Sequence, residues 1–424
     1  MSHLRTGLLA LLLAGPAVAA DPTDDQLTDA ALKLNQAGTQ EATFGEANKL
    51  LKPRADAVRL VKLAAKLQRD ADKPPFKFNA ALALAKVATI VKEYDAAEGL
   101  FESCDKAAKE VSSPSKLLSV QDGLMRLYWD QKKWPDAETA LKTAIEIKEK
   151  TLGDEAGEWL ELVELFERLI QVRGLQGAAD DAVKMADGLN KNFPIEPFRP
   201  LFLTPKASVL AEAGKPAEAI KAVEQFLADA DKMGKIFKPA AVAAQKVLAR
   251  HRLSGYQTDA DDVPAAVKTL RDLLADKPES ATAHNDLGFL LADHDLDLDE
   301  AETLCRKAVE LDAADRKKAL DDGKIDADAA KQESAAYLDS LGWVLFKRGK
   351  FPEALPYLEK AAADEDEGRH IEIWDHLADC LLKLDQKEKA VATWEKCLTF
   401  EDVGRRDVER RKKVSGKLKL AKAK

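Results

Sequence analysis

Near its C-terminus the chain writes one template three times: AHNDLGFLLADHDLDLDEAETLCRKAVELD (283 to 312), YLDSLGWVLFKRGKFPEALPYLEKAAA (337 to 363) and IWDHLADCLLKLDQKEKAVATWEKCL (373 to 398). Each copy has leucine followed by a small residue in a first amphipathic stretch: Leu287-Gly288, Leu341-Gly342 and Leu377-Ala378. After a turn, each has an alanine in a second stretch, Ala301, Ala354 and Ala390, where two helices must come close. In LDSLGWVLF the apolar residues recur at three- and four-residue offsets, as a helix packed on two sides requires, and no β-branched alternation competes. One hairpin cannot bury its own apolar faces, so repetition means stacking. The expected fold is all-α, a right-handed α-solenoid of stacked antiparallel helix pairs.

These segments resemble the tetratricopeptide repeat, with the small residue on the first helix, G-K-F-P-E-A or its equivalent at the turn, and alanine or cysteine on the second. The match is strongest from 281 to 400. Weaker copies are anchored upstream by Ala97, Ala137, Ala182, Ala219 and Ala266. Successive anchors are 40, 45, 37, 47, 35, 53 and 36 residues apart, all longer than the roughly 34 of the repeat. The early repeats therefore need long helices or long connectors, and spacings of 40 to 47 also suit HEAT-like repeats. Pro135, Pro216 and Pro352 fall just inside second helices, where a missing N–H costs nothing. Gly214 and Gly349 sit in the preceding turns, where positive φ is cheap.

The expected organisation is a signal peptide at 1 to 20, a helical cap or degenerate repeat at 21 to 75, divergent repeats at 76 to 278 and a repeat at 279 to 312. A charged insertion at 313 to 334, either a solvated helical extension or a mobile loop, precedes two repeats at 335 to 400. A basic segment, 401 to 424, ends the chain as a cap helix or tail. The opening MSHLRTGLLALLLAGPAVAA has His3 and Arg5 ahead of a short apolar run and an A-x-A ending, the pattern of a cleaved export signal, and no cysteine follows for a lipid anchor.

The formal charge of −9 disfavours a nucleic-acid partner, because phosphate binding needs a basic face. Cys104, Cys305, Cys380 and Cys397 occupy apolar helical slots without a C-x-x-C pair, which reads as buried thiols; Cys380 and Cys397 lie on opposite helices of one hairpin and form the pair to test for a bridge. Asp293, Asp295, Asp297 and Asp299 imitate a calcium loop but lack its glycine and its twelfth-position glutamate. His284, His294, His370 and His376 make no ligand pattern. No metal, cofactor or catalytic motif is expected, and a helical-ring glycoside hydrolase, which needs paired carboxylates in a cleft, is the enzymatic alternative.

The resemblance implies a concave groove lined by first helices. Its outward slots are Asn285, Phe289 and Asp293, then Asp339, Trp343, Phe346 and Lys347, then Asp375, Asp379 and Lys383. Aromatic anchors beside carboxylates imply a protein or peptide partner, apolar with basic flanks. In the competing reading, Trp343 and Phe346 pack between repeats and the acids are merely solvated. The basic tail offers a further role, contact with anionic lipid. The function expected is a non-enzymatic scaffold or adaptor of the cell envelope. N-terminal sequencing of the mature protein should begin at or beside Asp21; a chain that begins at Ser2 removes the export expectation.

Overall fold

The computed structural model describes residues 21–51, 53–71, 73–364, 367–401 and 404–423, so the expected export signal at 1 to 20 lies outside the described residues. Among these residues the regular elements are twenty α-helices and short 3-10 turns, with no strand. The chain divides into two compact units, one ending at Val172 and one beginning at Arg173.

The first unit holds α1 (Asp24–Lys33), α2 (Gln40–Asn48), α3 (Arg54–Asp70), α4 (Phe78–Ile90), α5 (Tyr94–Glu110), α6 (Pro114–Asp130) and α7 (Trp134–Thr151), with most of α8 (Ala156–Leu175). Its α1 to α3 are the irregular opening segment, packed on α4 and α5 through a core that includes Leu60, Leu84 and Phe101. In the second unit, α9 (Ala179–Asn192), α10 (Leu203–Glu212), α11 (Pro216–Asp229), α12 (Pro239–Asp259) and α13 (Val263–Asp276) come first. They lead into α14 (Ala281–Asp293), α15 (Leu298–Asp321), α16 (Ala335–Lys347), α17 (Phe351–Ala363), α18 (Ile371–Lys383) and α19 (Lys387–Cys397), and α20 (Arg405–Ala423) closes the chain. A continuous core runs from Ala266 to Ala421.

Eight turns between successive helices, from that joining α4 to α5 to that joining α18 to α19, are built alike. The turn residue just past each first helix has positive φ: Lys92, Lys132, Gly177, Gly214, Asp261, Asp295, Gly349 and Asp385. The N–H of the next residue then reaches back to a carbonyl of the first helix, as in Lys215 to Leu210 and Lys350 to Leu345 at 2.8 and 2.9 Å, which caps the helix C-terminus. The second helix starts two residues past the turn residue, or three past Asp295. Every expected alanine anchor, Ala97, Ala137, Ala182, Ala219, Ala266, Ala301, Ala354 and Ala390, is the fourth residue of its second helix and is 0% exposed. Only three of the eight turns use glycine, so a search for turn glycines finds a minority of the hairpins.

The long anchor steps have visible causes. Between Ala219 and Ala266 stand a 3-10 segment, Ala230–Lys235, and the 21-residue α12. Between Ala301 and Ala354, α15 runs on for 24 residues, so the first part of the charged insertion is a helical extension. Arg316 fastens it, donating to the carbonyl of Ala330 at 2.6 Å and to Asp312 at 3.0 Å.

The small residues of the first helices face the second ones. A Cβ on Gly288 would come within 2.7 Å of Cys305 Sγ and 3.1 Å of the Ala301 carbonyl, and one on Gly342 within 2.6 Å of Leu358. Ala378 is likewise fully buried. Gly288→Ala should therefore lower the free energy of unfolding by about 1–3 kcal/mol in chemical denaturation. Lys92→Gly, at an exposed turn that already holds φ at 67°, should raise it by up to about 1 kcal/mol; a destabilised Lys92→Gly protein would contradict the shared turn geometry.

Candidate functional site

In α14, α16 and α18 the fifth residues are Asn285, Asp339 and Asp375, and the sixth are Asp286, Ser340 and His376. Neighbouring positions on a helix lie about 100° apart, so in a stack of first helices the fifth residue of one can meet the sixth of the next. Asp339 and His376 do so: His376 Nδ1 lies 3.0 Å from both Asp339 oxygens. A carboxylate only accepts, so Nδ1 carries the proton. The same step recurs at the end of the stack, where Arg410, the sixth residue of α20, donates to Asp375 at 3.4 Å and also pairs with Glu372. Helix α20 thus stands where the next first helix would. It is docked on the last repeat rather than merely solvated.

This docking corrects the picture of an open acidic face. Asp339 and Asp375 are buried, at 5% and 2% exposure. Asp375 accepts from Trp394 Nε1 at 3.0 Å and from Lys417 at 2.8 Å, while Asp379 accepts from the same Lys417 at 2.6 Å. Burial and the neighbouring Asp375 push the Asp379 carboxyl up in spite of Lys417. Burial opposes the charge on Lys417, yet the two aspartates hold its pKa above the ordinary lysine value. Lysine at position 339 or 375 would bury an unpaired cation, so those aspartates serve packing before any partner.

The aromatic slots are corrected in the same direction. Trp343 is buried between repeats, stacked on His376 at 4.0 Å and on Phe346 at 4.9 Å, and its Nε1 donates to Asp293 at 3.2 Å. Phe346 and Lys347 are half-buried; Lys347 lies over the Trp343 ring at 5.5 Å and pairs with Asp295 at 2.9 Å. Lys383 is exposed. Asn285 and Phe289 both line an open cavity, and Phe289 also meets the His376 ring at 6.2 Å.

That cavity, about 540 Å³, lies along the first-helix face of the second unit between α12, α14, α16 and the start of α18, with Arg406 of α20 on its wall. Its carboxylates are individually engaged: Asp286 with His251 at 2.7 Å, Asp293 with Trp343, Asp339 with His376, Glu372 with Arg410. Glu367 accepts from the N–H of Ala335 at 3.1 Å. Asn285 is 8% exposed, and its Oδ1 has no donor. Its amide nitrogen is turned to Asp286. His251, Asp286, Arg406 and Lys417, which the sequence did not single out, and His376, which it placed in no ligand pattern, act through partners on other helices; the one signal in the chain was that fifth and sixth positions of successive first helices are polar inside apolar helices.

All four cysteines are free and buried. Cys380 and Cys397 donate instead to the carbonyls of Phe351 and Ile371 at 3.5 and 3.3 Å. Burial pushes the thiols of Cys104, Cys305 and Cys397 up to about 12 and that of Cys380 to about 11. No helix among the described residues is long and apolar enough to cross a membrane, and no cluster of three metal-ligating side chains occurs among them.

Models of the tetratricopeptide repeat match residues 122–155, 257–316, 334–364 and 371–402. A TPR repeat-containing protein of Pseudomonas aeruginosa is 33% identical over 101 residues, 24% of this chain and 14% of that relative's length. Among solved structures, a tetratricopeptide repeat protein from Parabacteroides merdae covers 72% of this chain and 99% of its own at 14% identity, with a TM-score of 0.45. Yeast Tom70 covers 94% and 96% at 14% identity, with a TM-score of 0.40.

The buried Asp339–His376 pair generates a pH test. Burial lowers the imidazole pKa, but Asp339 more than offsets it and the net displacement is upward, with Glu372 helping and Arg410 opposing. The stability this pair contributes is complete below about pH 6.5 and is lost as pH rises through the raised value. Thermal melts between about pH 5 and 8 should therefore show this decline in the parent, and Asp339→Asn should flatten it while lowering Tm at every pH; an unchanged slope in Asp339→Asn would place the titration elsewhere.

Proposed function

Because the chain is a tetratricopeptide-repeat protein, a scaffold for protein–protein interaction, we propose that the cavity between α12, α14, α16 and α18 is where it receives a segment of another polypeptide. The observation that carries this reading is the open cavity itself, whose wall includes Phe289 and Asn285, the latter with a buried Oδ1 that no protein donor meets. A lone acceptor of this kind is costly unless a donor meets it. A peptide N–H supplies that donor, and Phe289 beside it offers an apolar surface. Asp286 and Asp293 on the same wall favour a segment with basic flanks around an apolar centre.

Nothing in the cavity favours hydrolysis, since its carboxylates are each held by a histidine, a tryptophan, an arginine or a backbone N–H. The place of action we propose is the cell envelope after export, on the strength of the apolar segment and A-x-A ending at 8 to 19.

A photo-crosslinking residue at Phe289 should capture a partner in the native envelope fraction, whereas the same residue at exposed Thr303, on the second helix α15, should not. Asn285→Ala combined with Asp286→Lys should remove the Phe289 adduct by roughly tenfold or more with the melting curve preserved. Equal adducts at both positions, or adducts that persist in the double variant, would refute the cavity as the binding face.

A further inference from the structure

The C-terminal helix is held unequally along its length. Its second half is anchored: Val414 is fully buried, Ala421 nearly so, and Lys417 lies between Asp375 and Asp379. Its first turn, where Asp407 is buried and faces His370 at 3.5 Å, also crosses to repeats far away in the chain. The N–H of Arg405 is capped by Glu212, at the end of α10, at 2.9 Å. Arg406 Nε donates to Asp259 at 2.9 Å and its Nη2 to the Gly255 carbonyl at 2.9 Å, both on the last turns of α12. These contacts are exposed, with Arg406 at 65% against 36% for Lys417, and an ion pair in that setting is weak and screened by salt. Yet Arg406 forms part of the cavity wall. A strongly held anchor thus carries a weakly held cation to the rim of a cavity whose buried Asn285 Oδ1 lacks a donor.

We propose that Arg406 is an internal stand-in for a basic residue of the partner: it occupies the Asp259 carboxylate and the Gly255 carbonyl in the closed chain, and a partner's lysine or arginine enters by taking those acceptors over. The proposal rests on the cavity reading above and adds to it the site for the basic flank, together with its occupant at rest. The Arg406 side chain is then a latch whose release uncovers the Asp259 carboxylate and the Gly255 carbonyl, while the helix, with Asp407 buried in its first turn, stays in place as the cap. The partner that fits is cationic where it meets α12 and presents N–H groups toward Asn285.

Two measurements on the full chain test this. Ser254 lines the cavity at 4% exposure and the native thiols are buried and hard to ionise, so Ser254→Cys gives a specific reporter for a cationic methanethiosulfonate reagent. Labelling should accelerate roughly tenfold in Arg406→Glu and in the parent reporter on going from about 0.05 to 0.5 M salt, with Arg406→Glu itself insensitive to salt. Asp259→Lys added to Arg406→Glu should restore slow labelling, which separates the latch from a loss of folding. A fluorescent synthetic peptide with the sequence of residues 405–423 should bind the Arg406→Glu chain about tenfold more tightly than the parent.

Equal labelling rates in parent and Arg406→Glu overturn the latch, and faster labelling without a gain in peptide affinity overturns the stand-in. A gain in affinity together with an empty Phe289 crosslink leaves the stand-in intact and removes the cavity reading of the native partner.

Discussion

The structure depends on the close approach of two helices within each hairpin and on the inability of that hairpin to bury both of its faces alone. The fourth residue of every second helix is a fully buried alanine, and in two of the last three first helices the facing residue is a glycine with no room for a methyl group. Bringing the backbones this close leaves each pair thin, with an apolar surface on either side that only a neighbouring pair can cover. Stability is consequently distributed along the stack. The end of the stack then needs an element whose inner side matches the last repeat and whose outer side tolerates water.

Helix α20 satisfies that need, and the manner in which it does so decides the chemistry of the site. Its nine basic residues outnumber its two acidic ones, and it meets the acidic inner side of α18 at the position where another first helix would lie. Asp375 and Asp379 are neutralised within the chain, so they cannot be surplus charge waiting for a ligand. What stays open is the stretch of first-helix face further up, along α12, α14 and α16, where Asn285 and Phe289 line a cavity. The acids nearest the cap hold the molecule together, and the polar groups further from it are the ones we propose for recognition.

The repeat units were legible because they are local. The leucine and small-residue pair, the alanine anchors and the prolines at second-helix starts all follow from contacts within one hairpin, and the periodicity that encodes them survives even where the family pattern is diluted. The unequal anchor spacing also had a local cause, the long α12 and α15. Six of the eight turn residues went unnamed, five of them because lysine or aspartate, not glycine, takes the left-handed conformation there; the strain is small enough for the capping hydrogen bonds to offset.

The side-chain roles were not legible in the same way. Asp339 and Trp343 occupy slots that face outward from their own helix, and an outward slot on one helix is an interior position once the next repeat is laid against it. His376 and Asp339 are 37 residues apart, and Arg406 and Asp259 are 147 apart. The sequence alone therefore determined the helices, their pairing, and the small residues on which that pairing turns, since each rests on contacts a few residues away along the chain. Which polar residues pair, which are buried and which remain open were decided by the tertiary stack, because that depends on how many repeats intervene and how the last helix folds back across them, quantities that no single repeat contains.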